Sequence, residues 1–306
     1  MTCRQMQNCI EEFRERLEGA ELDLVLPEVL QQPTEDELIA IIGGFEGMIA
    51  GDDPLNARVL EHARRMRIIS KWGVGIDGID LAAAERLGIT VTNTPGVFGD
   101  DVADVAIGYV IMLARQLHRI HASVAGGGWF KHEGRALAGA TLGILGFGSI
   151  GQALARRGAG FGMRVIAHDP VTAAREAAGE LDAELLGVEE LFRRSDHLVL
   201  CCPLTADNRH IVNAETLALM RRGSYLVNVA RGPLVDELAL VQALDDGRVY
   251  AAALDVFEEE PLAADHTLRG YPQCVFGSHN GSNTREGVLR ASARAVDNLL
   301  EGLKRP

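Results

Sequence analysis

The sequence predicts an α/β protein built from two doubly wound parallel-sheet domains, and three observations carry that prediction. Its 306 residues exceed the roughly 150 that a single domain commonly takes. Strand and helix signals alternate along nearly the whole chain, the pattern of parallel strands joined by crossover helices. A glycine-punctuated run, Leu142-Gly-Ile-Leu-Gly146-Phe-Gly148-Ser149-Ile150-Gly151, opens a helix directly after an apolar strand signal, as the first turn of such sheets does.

In the first domain, Ile10 to Glu18 reads as a helix and Leu22 to Leu26 as a strand. Thr34 to Ile42 reads as a helix whose start fits a capping box, with Thr34 as N-cap and Glu37 three residues on. Gly47 to Ala50 follows as strand, Asn56 to Arg64 as helix, Arg67 to Lys71 as strand and Leu81 to Leu87 as a short helix. Ile89 to Thr92 then leads into Asn93-Thr-Pro95-Gly96, a candidate hinge. Asp101 to Ser123 reads as one long apolar helix, and Ala125 to Trp129 as a loop.

In the second domain, Thr141 to Leu145 is short, apolar and partly β-branched, which suits a strand buried on both faces. Helix-forming residues resume at Gln152, and Arg164 to His168 is the next strand. Leu198 to Cys202 is a strand stopped by Pro203, Ala214 to Met220 a helix, Tyr225 to Val229 a strand, Val235 to Leu244 a helix and Tyr250 to Leu254 a strand. The amphipathic helix from Thr284 to Leu303 has no domain of its own, so it is expected to return to the first one and make that domain discontinuous. The predicted boundaries are therefore 1–96 with 280–306, and 97–279, with hinges near Pro95-Gly96 and Gly281.

Composition narrows the function. A net charge of −13 argues against nucleic acid, whose phosphates must be met by a basic surface. The five cysteines, Cys3, Cys9, Cys201, Cys202 and Cys274, are odd in number and lack C-x-x-C spacing, so neither a disulfide framework nor a metal site is expected, and a reducing cytoplasm fits. No apolar run approaches 18 residues and the N-terminus lacks a signal-peptide core, so no membrane contact is expected.

The glycine run has a physical reading. Gly146 permits the sharp turn, Gly148 lets backbone N–H groups approach a pyrophosphate at a helix N-terminus, and Gly151 lets that helix pack close to the sheet. Eighteen residues beyond Gly151 stands Asp169, at the end of the next strand. Its carboxylate can accept both ribose hydroxyls of NAD and would repel the extra phosphate of NADP. The cofactor expected is NAD.

A nicotinamide cofactor accepts or donates a hydride, so the chain must still supply a proton acceptor and a cation for an anionic substrate. Arg231 at a strand end, Glu260 in the acidic run Glu258-Glu-Glu260-Pro261 and His279 in Ser278-His279-Asn280-Gly281 are suitable types at loop positions. Arginine grips a carboxylate through two parallel N–H bonds. Histidine titrates near neutrality, and a neighbouring carboxylate favours imidazolium.

These motifs resemble the NAD-dependent D-isomer-specific 2-hydroxyacid dehydrogenases, the D-3-phosphoglycerate dehydrogenase branch closest in appearance. The similarity runs from about Thr2 to Leu303 and rests on Gly73-Val-Gly-Ile-Asp, Val91-Thr-Asn-Thr-Pro-Gly, Leu137-Ala-Gly-Ala-Thr-Leu-Gly-Ile-Leu-Gly, Cys202-Pro-Leu-Thr, Asn228-Val-Ala-Arg-Gly, Leu254-Asp-Val-Phe-Glu-Glu-Glu-Pro and His279-Asn-Gly. It implies a Rossmann NAD domain beside a flavodoxin-like substrate domain, closing over the substrate, and a homodimer formed through the helix from Asp101 and the loop around Trp129. It implies His279 as general acid/base, Glu260 as its partner and Arg231 for the substrate carboxylate. Ser149, Ile150, Asp169, Cys202, Pro203 and Ala230 match positions lining NAD, and Asp255 matches the holder of the nicotinamide carboxamide. Val74 and Gly75 match backbone donors to the carboxylate, and Lys71 a position that is often basic near the distal end of the substrate.

Several positions depart from the family. Gly78 stands where asparagine is usual and Ser282 where a second glycine is common. Thr2 aligns just after the family's first apolar strand, so that strand is missing and the first sheet is expected to be gapped or rearranged, with a true start upstream of Met1. The implied reaction transfers a hydride between NAD and a small D-2-hydroxy acid, 3-phosphoglycerate among the candidates. The alternatives are an NAD-binding corepressor of the same fold, like the C-terminal-binding proteins, or a phosphonate or formate dehydrogenase of the same superfamily.

Overall fold

The computed structural model describes residues 1–28 and 33–304. They form two compact units, residues 1–98 with 283–306 and residues 99–282, and both are parallel α/β assemblies.

The first unit holds a three-stranded parallel sheet ordered as in the chain: β1 (Gly47–Ala50), β2 (Ile68–Lys71) and β3 (Thr90–Thr92). Its core joins Met48, Ala50 and Ile69 to Leu38, Ile42, Leu55 and Ile79 from the connecting segments. The capping box at Thr34 forms as expected: the Thr34 hydroxyl accepts the Glu37 N–H while the Glu37 carboxylate accepts the Thr34 N–H at 2.8 Å. The helix Arg285–Lys304 joins this unit, since the Ser70 hydroxyl donates to the Ala295 carbonyl at 2.9 Å and the Trp72 indole N–H to Ser292 at 3.0 Å. This unit is discontinuous in sequence.

Residues 22–26 form no strand, which corrects the expectation for Leu22 to Leu26. A strand needs a neighbour along its edge, and a cavity of about 370 Å³ lies here, lined by Leu22, Leu24, Leu38, Ile42 and Met48 among others. The segment instead meets single donors: the Met1 ammonium gives to the Val25 carbonyl and the Gln7 amide to the Pro27 carbonyl, both at 3.0 Å. The outer edge of β1 is met in the same piecemeal way, the Thr2 N–H donating to the Ile49 carbonyl at 3.1 Å. The first sheet is gapped.

The second unit holds a seven-stranded parallel sheet. Its strands are β4 (Thr141–Leu145), β5 (Arg164–His168), β6 (Glu184–Leu185), β7 (His197–Leu200), β8 (Ser224–Asn228), β9 (Val249–Leu254) and β10 (Val275–Phe276), in the spatial order β10-β9-β8-β7-β4-β5-β6. The chain winds outward from β4 in one direction and then, from β7, in the other. The crevice at the carboxyl ends of β4 and β7 is the topological switch point, where open α/β sheets bind ligands. β4, β7 and β8 are buried along their whole length, which is why they read as mostly apolar runs.

The long helix expected from Asp101 to Ser123 is two helices, Gly99–Arg115 and Leu117–Ala125. Gln116 breaks them in a left-handed conformation, φ +51°. Its side-chain amide donates to the Leu113 and Gln273 carbonyls at 3.1 and 3.2 Å, replacing helical bonds with tertiary ones. Short polar-flanked elements escaped the sequence reading: the helices Ala174–Glu180 and Val188–Arg194 and the edge strands β6 and β10.

His197 on β7 is a polar residue where the sheet is dry. It is 1% exposed, its ring stacks on Tyr225 at 4.5 Å, and its Nδ1 has no hydrogen-bond partner among the described residues. Burial lowers its pKa to about 4. The unfolded chain, with histidine near 6.5, therefore binds a proton that the folded state refuses between about pH 6.5 and pH 4. Stability rises with pH across that window and is fully present above it. His197→Phe is expected to flatten this acid limb by on the order of 3 kcal/mol at pH 4, read from urea unfolding at pH 7 and pH 4. An unchanged difference between the two pH values would reject the assignment.

Candidate active site

β4 ends at Leu145 and the chain turns through Gly146, φ +98°. A Cβ at Gly146 would lie 2.5 Å from the Cys202 backbone nitrogen, so the turns after β4 and β7 abut too closely for any side chain. A Cβ on Gly151 would sit 2.2 Å from the Gly146 carbonyl oxygen, so the helix Ser149–Gly160 rests directly on the turn. At Gly148 an added Cβ would meet nothing within 4 Å. Two of the three glycines thus answer to the protein's own packing, and Gly148 leaves clear the approach to the Ser149 and Ile150 end of the helix. That division fits a pyrophosphate cradle.

Asp169 lies one residue past β5. Its Oδ2 accepts the Phe147 N–H at 2.7 Å and its Oδ1 the Val171 N–H at 2.8 Å, so the carboxylate is fixed against the glycine turn while each oxygen keeps a lone pair. Cys202 and Pro203 follow β7 across the switch point. Burial pushes the Cys202 thiol up to about 11, so this cysteine is a lining group and no nucleophile.

β8 ends at Asn228, which is fully buried. Its side-chain oxygen accepts the Ala230 N–H at 3.0 Å and its amide donates to the Arg231 carbonyl at 2.8 Å, folding residues 228–231 into a tight loop. The Arg231 guanidinium donates to the Ala230 carbonyl at 2.8 Å. Gly232 then packs on the next strand's loop, where a Cβ would lie 1.8 Å from the Phe257 carbonyl oxygen. This contact brings the Arg231 turn against the Phe257–Glu260 turn.

β9 ends at Leu254, and Asp255 is 2% exposed. Its carboxylate accepts from the Tyr109 hydroxyl at 3.1 Å and from the Gly281 N–H at 2.8 Å, and its carbonyl accepts the His279 N–H at 2.7 Å. Asp255 therefore anchors both sides of His279. Glu260 accepts the Phe257 N–H at 3.0 Å through Oε1, while its Oε2 lies 2.9 Å from His279 Nδ1. The histidine is a third exposed and held at φ +55°, a conformation costly for any residue with a Cβ. A histidine paired with a carboxylate in this way has the chemistry of a general acid or base.

In the first unit, Lys71 closes β2. Its ammonium is buried, ion-paired with Asp52 at 3.0 Å and bonded to the Trp72 carbonyl at 2.9 Å. The loop that follows is pinned by Thr94, whose hydroxyl accepts the Gly73 N–H at 3.0 Å, and by the Asn93 amide on the Val74 carbonyl at 2.7 Å. Among the described residues nothing accepts from the Val74 or Gly75 N–H. Asn228, Tyr109 and Thr94 were absent from the sequence-derived set. Asn228 and Thr94 had a signal, standing inside motifs already singled out, whereas Tyr109 sits in a helix with none. No group of three or more His, Cys, Asp or Glu among the described residues could hold a metal ion, and no described helix is long and apolar enough to cross a membrane.

A glycine turn at the switch point and a histidine–carboxylate pair beyond β9 and β10 of the same sheet fit a nicotinamide-dependent oxidoreductase of the doubly wound class. Residues 107–281 match the NAD-binding domain of the D-isomer specific 2-hydroxyacid dehydrogenases. The chain is 42% identical over 257 residues to the glyoxylate reductase of Aeropyrum pernix, covering 81% of this chain and 76% of that protein. It is 37% identical over 274 residues to the hydroxypyruvate reductase of Thermotoga maritima, covering 88% of each. Its fold superposes on that of Aquifex aeolicus D-lactate dehydrogenase, solved with NAD and lactic acid, with a TM-score of 0.82 and 29% identity, over 94% of this chain and 91% of that one. The chain belongs to the NAD-dependent D-2-hydroxyacid dehydrogenases, and its substrates are small 2-hydroxy or 2-oxo acids.

Proposed function

We propose that this enzyme reduces a small, unphosphorylated 2-oxo acid of the glyoxylate or hydroxypyruvate kind with NADH, and runs the reverse oxidation. NAD, when bound, supplies the hydride acceptor. His279 holds or takes the hydroxyl proton at Nε2, Glu260 steadies the imidazolium through Nδ1, and Arg231 grips the carboxylate. The observation that carries the reading is the 2.9 Å contact between His279 and Glu260 beside the Arg231 turn. Residues 97–279 are assigned to NAD, with Gly146, Gly148, Gly151, Ser149 and Ile150 at the pyrophosphate, Asp169 on the ribose, Cys202, Pro203 and Ala230 along the cofactor and Asp255 near the carboxamide. Residues 1–96 and 280–306 are assigned to the substrate, with the Val74 and Gly75 amides as its donors.

The pairing of Lys71 supports an unphosphorylated acid. Its ammonium is buried and already paired with the exposed Asp52 carboxylate, so turning it to a distal phosphate would break that pair. Steady-state assays with NADH should give glyoxylate or hydroxypyruvate a kcat/KM at least about tenfold above that of 3-phosphohydroxypyruvate. The reverse order would overturn the substrate assignment, and NADH formation from formate with no turnover of any 2-oxo acid would overturn the reaction.

We further propose a homodimer. The helix Leu117–Ala125 buries no residue within its own chain, while Leu117, Val124 and the nearby Trp129, 78% exposed, present apolar surface. Light scattering should report about twice the 33.0 kDa chain mass, and Val124→Glu should halve it; a monomeric native protein would exclude the dimer. The five free cysteines suit a reducing cytoplasm, to which we assign the enzyme.

A further inference from the structure

Glu237 is the first residue of the helix Glu237–Asp245, capped by Asp236, and it is a carboxylate only 8% exposed. A buried charge needs partners, and the partners here are specific. Its Oε1 accepts the Glu258 N–H at 2.9 Å and its Oε2 lies 3.0 Å from His266 Nε2. The Leu268 N–H donates to His266 Nδ1 at 3.3 Å, which leaves the proton on Nε2 and makes His266 the donor to Glu237. Both oxygens are therefore engaged, one of them by the backbone of the turn that carries Glu260.

That turn has few other supports. The Phe257 peptide lies on Gly232, and the Glu258 carboxylate pairs with His210 Nε2. Phe257 N–H then holds Glu260 Oε1 at 3.0 Å, and Glu260 Oε2 holds His279 at 2.9 Å. A continuous chain of bonds runs from His266 through Glu237, the 257–258 backbone and Glu260 to His279, all within residues 99–282.

We propose that Glu237 is a positioning residue of the reaction, its carboxylate fixing the Phe257–Glu260 turn so that Glu260 meets His279 Nδ1. The proposal rests on the role given to His279 above. Without the Glu237 acceptor the Glu258 N–H is left unpaired beside the helix terminus, and the turn relaxes toward solvent, carrying Glu260 with it. Glu237 touches neither the reacting atoms nor the cofactor turn, so its removal acts on kcat and on the titration of the histidine, with NADH binding spared.

The test compares Glu237→Ala, Glu237→Gln, Glu260→Gln and the Glu237→Ala/Glu260→Gln double variant. Glu237→Ala should lower kcat about 10- to 100-fold, with the NADH dissociation constant within about twofold, and should move the histidine limb of the pH profile of kcat/KM to lower pH. Glu237→Gln should recover most of the rate, because its side-chain oxygen still accepts the Glu258 N–H while His266, whose side chain is 29% exposed, turns its N–H to water. The double variant should be no slower than Glu260→Gln alone, since both changes break one chain. Should alanine prevent folding, Glu237→Asp, too short to reach both partners, takes its place with the same readings. Unchanged kcat and pH profile, or a loss that adds in full to that of Glu260→Gln, overturns the proposal. An inactive His279→Ala beside a fully active Glu237→Ala rejects the positioning role alone, whereas an active His279→Ala removes the reading beneath it.

Discussion

Replacing His279 with alanine is expected to lower kcat by about 10³-fold while leaving the NADH dissociation constant within about twofold. The size follows from the role proposed for the imidazole, proton exchange with the substrate: general acid–base catalysis by one positioned side chain contributes about 10² to 10⁴. The selectivity follows from the architecture. His279 is held by the Asp255 carbonyl and by Glu260, whereas the glycine turn is shaped by contacts with Cys202 and Asp169. The two share a sheet but no hydrogen bond among those described. The alanine also relieves the cost of a bulky side chain at φ +55° only in part, since alanine keeps a Cβ. Stopped-flow reduction of glyoxylate or hydroxypyruvate, with NADH binding followed by fluorescence, separates the two effects. Near-native turnover would remove histidine from the mechanism.

The reverse comparison explains which parts of the molecule could be read from sequence. β4, β7, β8 and β9 were legible because strands buried on both faces are mostly apolar, and the run Leu142 to Leu145 is their purest case. Two of the glycines were legible because they answer to a steric demand that no other residue meets: a positive φ at Gly146, a helix resting on the turn at Gly151. The two-helix break at Gln116 was not legible. Its cause is a bond to the Gln273 carbonyl, 157 residues away, and nothing local distinguishes that glutamine from one in a continuous helix. Leu22 to Leu26 failed for the opposite reason: its apolar pattern is that of a strand, but a strand exists only with a partner, and partner availability is a property of the sheet.

The same distinction runs through the site. Arg231, Glu260 and His279 could be proposed from residue type, because proton transfer and carboxylate binding admit few side chains. The residues that aim them were harder to see. Asn228 turns the chain so that Arg231 follows a buried asparagine, Asp255 fixes the backbone on both sides of His279, and Tyr109 reaches Asp255 from a helix more than a hundred residues earlier. Such residues work through hydrogen bonds to backbone, and any acceptor or donor of suitable reach would read the same in sequence. Lys71 shows the limit from the other side. The resemblance implies a phosphate or second carboxylate near it, and nothing in the sequence signals its ion pair with Asp52, two residues past β1.

Arg231→Lys is expected to lower kcat/KM for the 2-oxo acid by about 10²-fold, chiefly by raising KM, although the charge is kept. The argument is geometric. A guanidinium offers parallel N–H donors that match both oxygens of a carboxylate, and one of its remaining donors can stay on the Ala230 carbonyl, where Arg231 is anchored at 2.8 Å. An ammonium is a point charge with three rotatable donors. At position 231 it must choose between the Ala230 carbonyl and the substrate, and it binds the acid through one contact where arginine uses two. The surrounding loop should not change, because Asn228 bonds to the backbone of residues 230 and 231 and not to the side chain. Thermal unfolding should therefore stay within about 1 °C of the native enzyme, a surface-sized change. NADH affinity should also hold, so that the loss falls on substrate alone. Equal KM values for the two enzymes would show that the substrate carboxylate is held elsewhere, and a parallel loss of NADH binding would place Arg231 in the cofactor site.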